Sequence, residues 1–168
     1  RLRETRQLLV VGAGLIGLEV AASAAELGVQ TRVVEVAPRI LARVCDEEIG
    51  GLIEAEHRRR GVDLRLQCAI ASVRTDDREA HAVTTTGEPL TADLIVVGTG
   101  AKPNDRLAAS AGLAIDDGIV VDEYCRTSDP AIFGAGDVVR FPGPHGPVRL
   151  ENWRHAQDHG TVAGRNAA

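Results

Sequence analysis

The stretch Leu8-Leu9-Val10-Val11-Gly12-Ala13-Gly14-Leu15-Ile16-Gly17 decides how the chain is read. A short apolar run stops at a glycine, as a parallel strand buried on both faces does. Over residues 15–27 the apolar side chains then recur at helical spacing, and Gly28 stands where a glycine ends such a helix. Residues 31–36 are β-branched and read as a second strand. Strand, glycine turn, helix, strand is a βαβ unit, with parallel pairing and a right-handed crossover.

Working outward, residues 46–60 are again amphipathic, with Ile49, Leu52, Ile53 and Ala55 on one side and Gly61 after them, and residues 64–66 read as a third strand. The pattern then changes. Segments 69–75, 81–86 and 90–97 are strand-like and closely spaced, separated by Asp76-Asp77 and by Gly87-Glu88-Pro89. Such spacing predicts an antiparallel meander, with Leu94-Ile95-Val96-Val97 of the buried-strand type. The fold class expected is therefore α/β, a Rossmann-like dinucleotide-binding domain whose parallel sheet is joined by an antiparallel β-meander. Further on, a short helix is expected at 107–111, ended by Gly112, with short strands at 118–121 and 131–133. Segment 141–147 holds three prolines and two glycines and reads as an irregular loop, and residues from Trp153 on read as a helix.

Composition narrows the function. The chain has 168 residues, 44% of them hydrophobic and 26% charged, with a formal net charge of −5. That hydrophobic content supports a real core, and no apolar run approaches the roughly 18 residues of a membrane span. The negative charge argues against nucleic-acid binding, which needs a basic face. The aromatic residues are only Phe133, Phe141, Trp153 and Tyr124, too few for a base-stacking platform. There is no Met, and the chain opens on Arg1-Leu2-Arg3-Glu4 without a secretory pattern, so it is expected to be cut from a longer cytoplasmic protein. Cys45, Cys68 and Cys125 are far apart and form no C-x-x-C pair, which removes a zinc knuckle and a thioredoxin-like redox pair. His155 and His159 stand four apart on the last helix without a third ligand, so a polar helix face is expected there and no metal site. His57 with Arg58-Arg59-Arg60 reads as a basic helix end that complements the helix dipole.

In Gly12-Ala13-Gly14-Leu15-Ile16-Gly17 the chemistry follows from the setting between strand and helix. Gly12 allows the tight turn, Gly14 lets backbone approach a pyrophosphate, and Gly17 lets helix and strand pack closely. The N–H groups at Leu15 and Ile16 then face phosphate with the positive end of the helix dipole. Glu35, ending the second strand, accepts hydrogen bonds from the adenosine ribose hydroxyls and repels a 2′-phosphate, which points to NAD(H) over NADP(H). Arg39, four residues on, is a second candidate to meet a phosphate.

Two later motifs complete the set: Gly98-Thr99-Gly100-Ala101-Lys102-Pro103-Asn104, and Thr127 to Asp137, where an apolar run enters Gly134-Ala135-Gly136-Asp137. Together with Leu150-Glu151-Asn152-Trp153-Arg154-His155-Ala156-Gln157, their order resembles the pyridine nucleotide-disulfide oxidoreductase family. Within it the chain is most similar to the FAD-dependent, NADH-linked ferredoxin reductases of the putidaredoxin and rubredoxin reductase type. The resemblance covers nearly the whole chain. It implies an NAD-binding domain over residues 1–115 and a returning segment of an FAD-binding domain over 116–168. It places Gly12, Gly14, Gly17 and Glu35 on NAD, Glu19 near the nicotinamide carboxamide, and Gly100 in the cofactor groove. It gives Asp137 the ribityl chain of FAD and sets Trp153 beside the flavin. The function implied is electron transfer from NADH through FAD to an iron–sulfur partner of ferredoxin or rubredoxin type, with the isolated chain inactive. The alternatives are an NADH-dependent disulfide or peroxide reductase, a nitrite reductase subunit or, from another class, a nucleotide-sensing domain.

Overall fold

The computed structural model describes residues 2–76 and 79–168, so Asp77 of the expected Asp76-Asp77 turn lies outside the described residues. Backbone contacts divide the chain into two compact units, Arg1–Gly100 and Ala101–Ala168.

In the first unit, β1 (Gln7–Val11), α1 (Leu15–Glu26) and β2 (Gln30–Val34) form the expected βαβ unit, with Leu8 opposite Thr31 and Val11 opposite Val34 in a parallel register. After α2 (Glu47–Arg59), β3 (Asp63–Arg65) pairs with β2, while β7 (Leu94–Val97) pairs with the other edge of β1, giving the parallel order β3-β2-β1-β7. A small-residue stripe, Gly17, Ala21 and Ala24, is buried on α1 and lets it lie close to the sheet. Asp46 caps α2 by accepting from the Ile49 N–H at 2.9 Å. At its other end Arg58 pairs with Glu54, and Arg59 and Arg60 with Glu56, whose carboxyl the two arginines, Arg59 foremost, hold down at about 2.

The meander is β4 (Ile70–Thr75), β5 (Ala80–Thr84) and β6 (Pro89–Ala92), antiparallel throughout. The parallel sheet is buried on both faces because its strands are apolar at odd and even positions alike. Leu8 and Val10 pack with Leu18, Ala21, Ala24 and Ile40, whereas Leu9 and Val34 pack with Ala82, Leu90 and Ala92 of the meander. Each buried Leu, Val or Ile among them contributes about 1.5–3 kcal/mol by leaving water.

The expected strand 90–97 is in fact two. Asp93 separates β6 from β7, and its carboxylate accepts from the Gln7 and Arg6 N–H groups at 2.9 and 2.6 Å. Those bonds, Gln7 first, hold the Asp93 carboxyl below its ordinary value and pin the crossing between sheets to the start of β1.

The second unit contains α3 (Arg106–Ser110), β8 (Ile119–Val120), β9 (Val139–Gly143), β10 (Gly146–Val148) and α4 (Trp153–Ala167), with sheet order β10-β9-β8. Three expectations need correction here. The predicted strand at 131–133 is a turn: Asp129 accepts from the Ala131 N–H, Ile132 N–H returns to the Asp129 carbonyl, and only Phe133 forms a bridge, to Arg126. The Asp-Pro turn chemistry overrides the apolar triplet. Conversely, the predicted irregular loop 141–147 is mostly the β9–β10 hairpin. Pro142 faces Pro147, so the two residues without an N–H share a pair that exchanges no backbone hydrogen bonds. Nor is the His155–His159 edge of α4 a solvated face. The His155 ring stacks on Phe141 with centroids 4.8 Å apart, and the His159 ring packs tilted against it at 5.0 Å.

Candidate functional site

At the end of β1 the chain turns at Gly12 with φ +104°, a conformation that favours glycine, and its N–H donates to the Val34 carbonyl at 2.8 Å. A Cβ on Gly12 would sit 2.5 Å from the Gly98 carbonyl oxygen, and one on Gly17 would collide with the Gly12 carbonyl oxygen. The two outer glycines are therefore demanded by backbone against backbone. Gly14 is different: it is the N-cap residue of α1, brings no side chain to the first-turn N–H groups, and has nothing within 4 Å of its missing Cβ. The open side of the turn lies where phosphate oxygens would need to approach. Leu15 and Ile16 on that first turn are exposed, as is Glu19 farther along α1.

Glu35 follows β2 and turns its carboxylate back on the glycine turn. Oε2 accepts from the Ala13 N–H at 2.6 Å, and Oε1 accepts from the Ala37 N–H at 2.8 Å. Each oxygen retains a lone pair for a ribose hydroxyl. The acidic side chain thus stands at the glycine turn although 22 residues separate it from Ala13.

Arg39 does not present a free cation. Its Nη1 donates to the Cys45 carbonyl at 2.9 Å and to that of Asp46 at 3.4 Å, and its Nη2 donates to the Ala42 carbonyl at 3.0 Å. Gly100 ends the first unit with φ +108° and open space around its missing Cβ. Gly98 was not singled out in the sequence, yet it makes the closest approach to Gly12; its place in Gly98-Thr99-Gly100 was the available signal. Leu41 was missed as well. Its N–H donates to the Ala13 carbonyl at 3.0 Å from a backbone with φ +50°, which a leucine gives no reason to expect.

In the second unit, Asp137 is exposed, and its carbonyl accepts from Arg149. Trp153, first residue of α4 after the Asn152 cap, is 76% exposed. Half-buried, His159 titrates below its ordinary value, because desolvation penalises its charged form and because His155 sits beside it. Among the described residues, no group of three or more His, Cys, Asp or Glu is placed to hold a metal.

The model of the family described as pyridine nucleotide-disulphide oxidoreductase matches residues 1–160. A rhodocoxin reductase from Rhodococcus erythropolis is 44% identical over 90% of the chain, which covers 36% of that protein. The crystal structure of a ferredoxin reductase from Rhodopseudomonas palustris superposes with a TM-score of 0.93 at 35% identity, over the whole chain and 43% of that structure. A water-forming NADH oxidase from Lactobacillus brevis bound to NADH, and its engineered NADPH-bound variant, superpose with a TM-score of 0.91 at 25% identity. They cover 99% of the chain, which spans 38% and 37% of them. The chain thus spans well under half the length of these relatives.

Proposed function

The chain belongs to the pyridine nucleotide-disulphide oxidoreductase family, and we propose that its first unit binds NADH for a flavoprotein that reduces a small iron–sulfur protein of ferredoxin or rubredoxin type. The observation that carries this reading is the Glu35 carboxylate, held 2.6 Å from the Ala13 N–H of the glycine turn. A carboxylate there accepts from ribose hydroxyls and repels a 2′-phosphate. Ferredoxin reduction is the activity in the name of the Rhodopseudomonas palustris relative.

In this reading the adenosine ribose rests on Glu35, and the pyrophosphate lies across Gly12, Gly14 and the first turn of α1. Glu19 faces the carboxamide end and Gly100 lines the groove. Residues 1–115 form the NAD-binding domain, and residues 116–168 belong to an FAD-binding domain. There Asp137 binds the ribityl chain with its exposed carboxylate, and Trp153 covers the flavin. Bound flavin would supply the means to take a hydride's electron pair and release it as single electrons. The residues of this chain orient and select the nucleotide, and none is asked to move a proton.

Loss of an aspartate accompanies NADPH binding in the engineered oxidase, and a glycine 18 residues before that aspartate is also substituted. Glu35 follows Gly17 by the same interval, 35 − 17 = 18. A cytoplasmic place agrees with three unpaired thiols, and no helix among the described residues is long and apolar enough to cross a membrane. The test is anaerobic titration of the full-length protein with NADH, followed by addition of ferredoxin. Stoichiometric bleaching of flavin absorbance, then ferredoxin reduction, is expected; a protein without flavin, or flavin untouched by NADH, overturns the reading.

A further inference from the structure

We infer that Arg39 is a positioning residue for the phosphate-binding turn and not the receptor for an adenosine 2′-phosphate. The inference rests on the NADH reading of the first unit. Both Nη atoms of Arg39 are committed to carbonyls of its own loop, those of Ala42, Cys45 and Asp46. Gly50 of α2 lies beside the guanidinium, where even a Cβ would make only an ordinary contact with Nη1, at 3.6 Å. The loop that Arg39 closes contains Leu41, buried in the first core cluster and held with φ +50°. Its N–H donates to the Ala13 carbonyl at 3.0 Å, while the Ala13 N–H donates to Glu35 at 2.6 Å. Ala13 is therefore gripped at both its polar groups. A trans peptide is planar, so fixing the Ala13 carbonyl fixes the Gly14 N–H on the opposite side, at the N-terminus of α1. Arg39 thereby sets the direction of a donor it never touches.

The engineered oxidase supports the negative half of the inference. Its two introduced arginines follow the substituted aspartate by one and by seven residues. Counted from Glu35, these positions are Val36 and Ala42, both exposed here. Arg39, four residues on, coincides with neither.

The test compares the chain with Arg39→Ala and Arg39→Lys by NADH and NADPH titration, urea unfolding, and amide hydrogen exchange without nucleotide. Exchange at Leu41 should quicken at least about tenfold in Arg39→Ala, while that of Val10 in β1 stays unchanged. Affinity of the folded protein for NADH and NADPH should fall by a common factor of about 5–30, leaving their ratio within about twofold. Arg39→Lys, with a single ammonium for three carbonyls, should recover only part of the loss. A loss confined to NADPH would show a phosphate receptor and overturn the inference. Unchanged exchange at Leu41, or a lowered unfolding midpoint with unchanged affinity, overturns it too. If the unsubstituted chain binds neither nucleotide, the NADH reading fails, and exchange at Leu41 alone decides whether Arg39 holds the turn.

Discussion

The two units of the chain treat their large apolar side chains differently. Up to Gly100 the molecule has two buried clusters, one on each face of the parallel sheet, with Leu8, Leu9, Val10 and Val33 at 2% exposure or less. From Ala101 on, the buried hydrophobic residues are Ala108, Val121, Cys125, Val139 and Ala163, while Leu107 and Trp153 stand 84% and 76% exposed. The first unit satisfies its own core. The second buries only a few apolar side chains of its own, in keeping with the proposal that it completes a flavin domain.

The contrast breaks most easily in the core. Leu8→Ala should cost about 2–5 kcal/mol in urea unfolding, since it empties a site packed between sheet and helix. A cost under about 1 kcal/mol would mean that the first unit is not the stable part of the chain. Next in size is the combined change Glu35→Ala, Val36→Arg and Ala42→Arg. It should turn the first unit from NADH to NADPH, by removing one charged acceptor worth about 1.5–3 kcal/mol and adding donors for a phosphate. Competitive titration of the two nucleotides would show it, and an unchanged preference would dissociate the Glu35 turn from specificity.

Acid should separate the units. His159 in the second unit titrates below its ordinary 6.5, held down by burial and then by His155. The unfolded chain binds that proton first, so stability is full above about 6.5 and falls as pH drops toward the lowered folded value. Asp93 in the first unit is also lowered, by the Gln7 and Arg6 N–H groups. For a carboxylate the contribution is present above its ordinary value of 3.8 and is lost only as pH falls through the folded one. Amide exchange followed from pH 7.5 to 3.5 should therefore show α4 opening before β1, and His159→Gln should remove the earlier step. Simultaneous opening of both would contradict the difference.

The smallest effects belong to the residues assigned to flavin. Trp153→Ala and Asp137→Ala should change the stability of this chain by less than about 0.5 kcal/mol. They should leave NADH affinity within about threefold, under 1 kcal/mol. A larger loss in either would tie the second unit to the nucleotide.

How much of this was legible beforehand follows the strength of local signals. The β1-α1-β2 unit was readable because its apolar spacing, glycine turn and terminal Gly28 agree with one another. The Asp93 break was not, because Leu90 to Val97 is nearly continuous in apolar character, and what divides it is the backbone of residues 6 and 7, far away in sequence. The β9–β10 hairpin was hidden by prolines that usually interrupt strands; pairing Pro142 with Pro147 removes the objection, but only once the register is known. In the site, the glycines and Glu35 could be picked out by type and spacing. The grip on Ala13 could not, because it uses the N–H of Leu41, and backbone groups leave no trace in residue identity.

The most direct test of the central claim is a calorimetric titration of this chain, and of its Glu35→Ala variant, with NADH and NADPH. The account predicts that the unsubstituted chain binds NADH more tightly than NADPH. It also predicts that Glu35→Ala weakens NADH by about 10- to 150-fold, the equivalent of about 1.5–3 kcal/mol for a charged hydrogen bond. NADPH bound as tightly as NADH, or NADH affinity indifferent to Glu35→Ala, would contradict it.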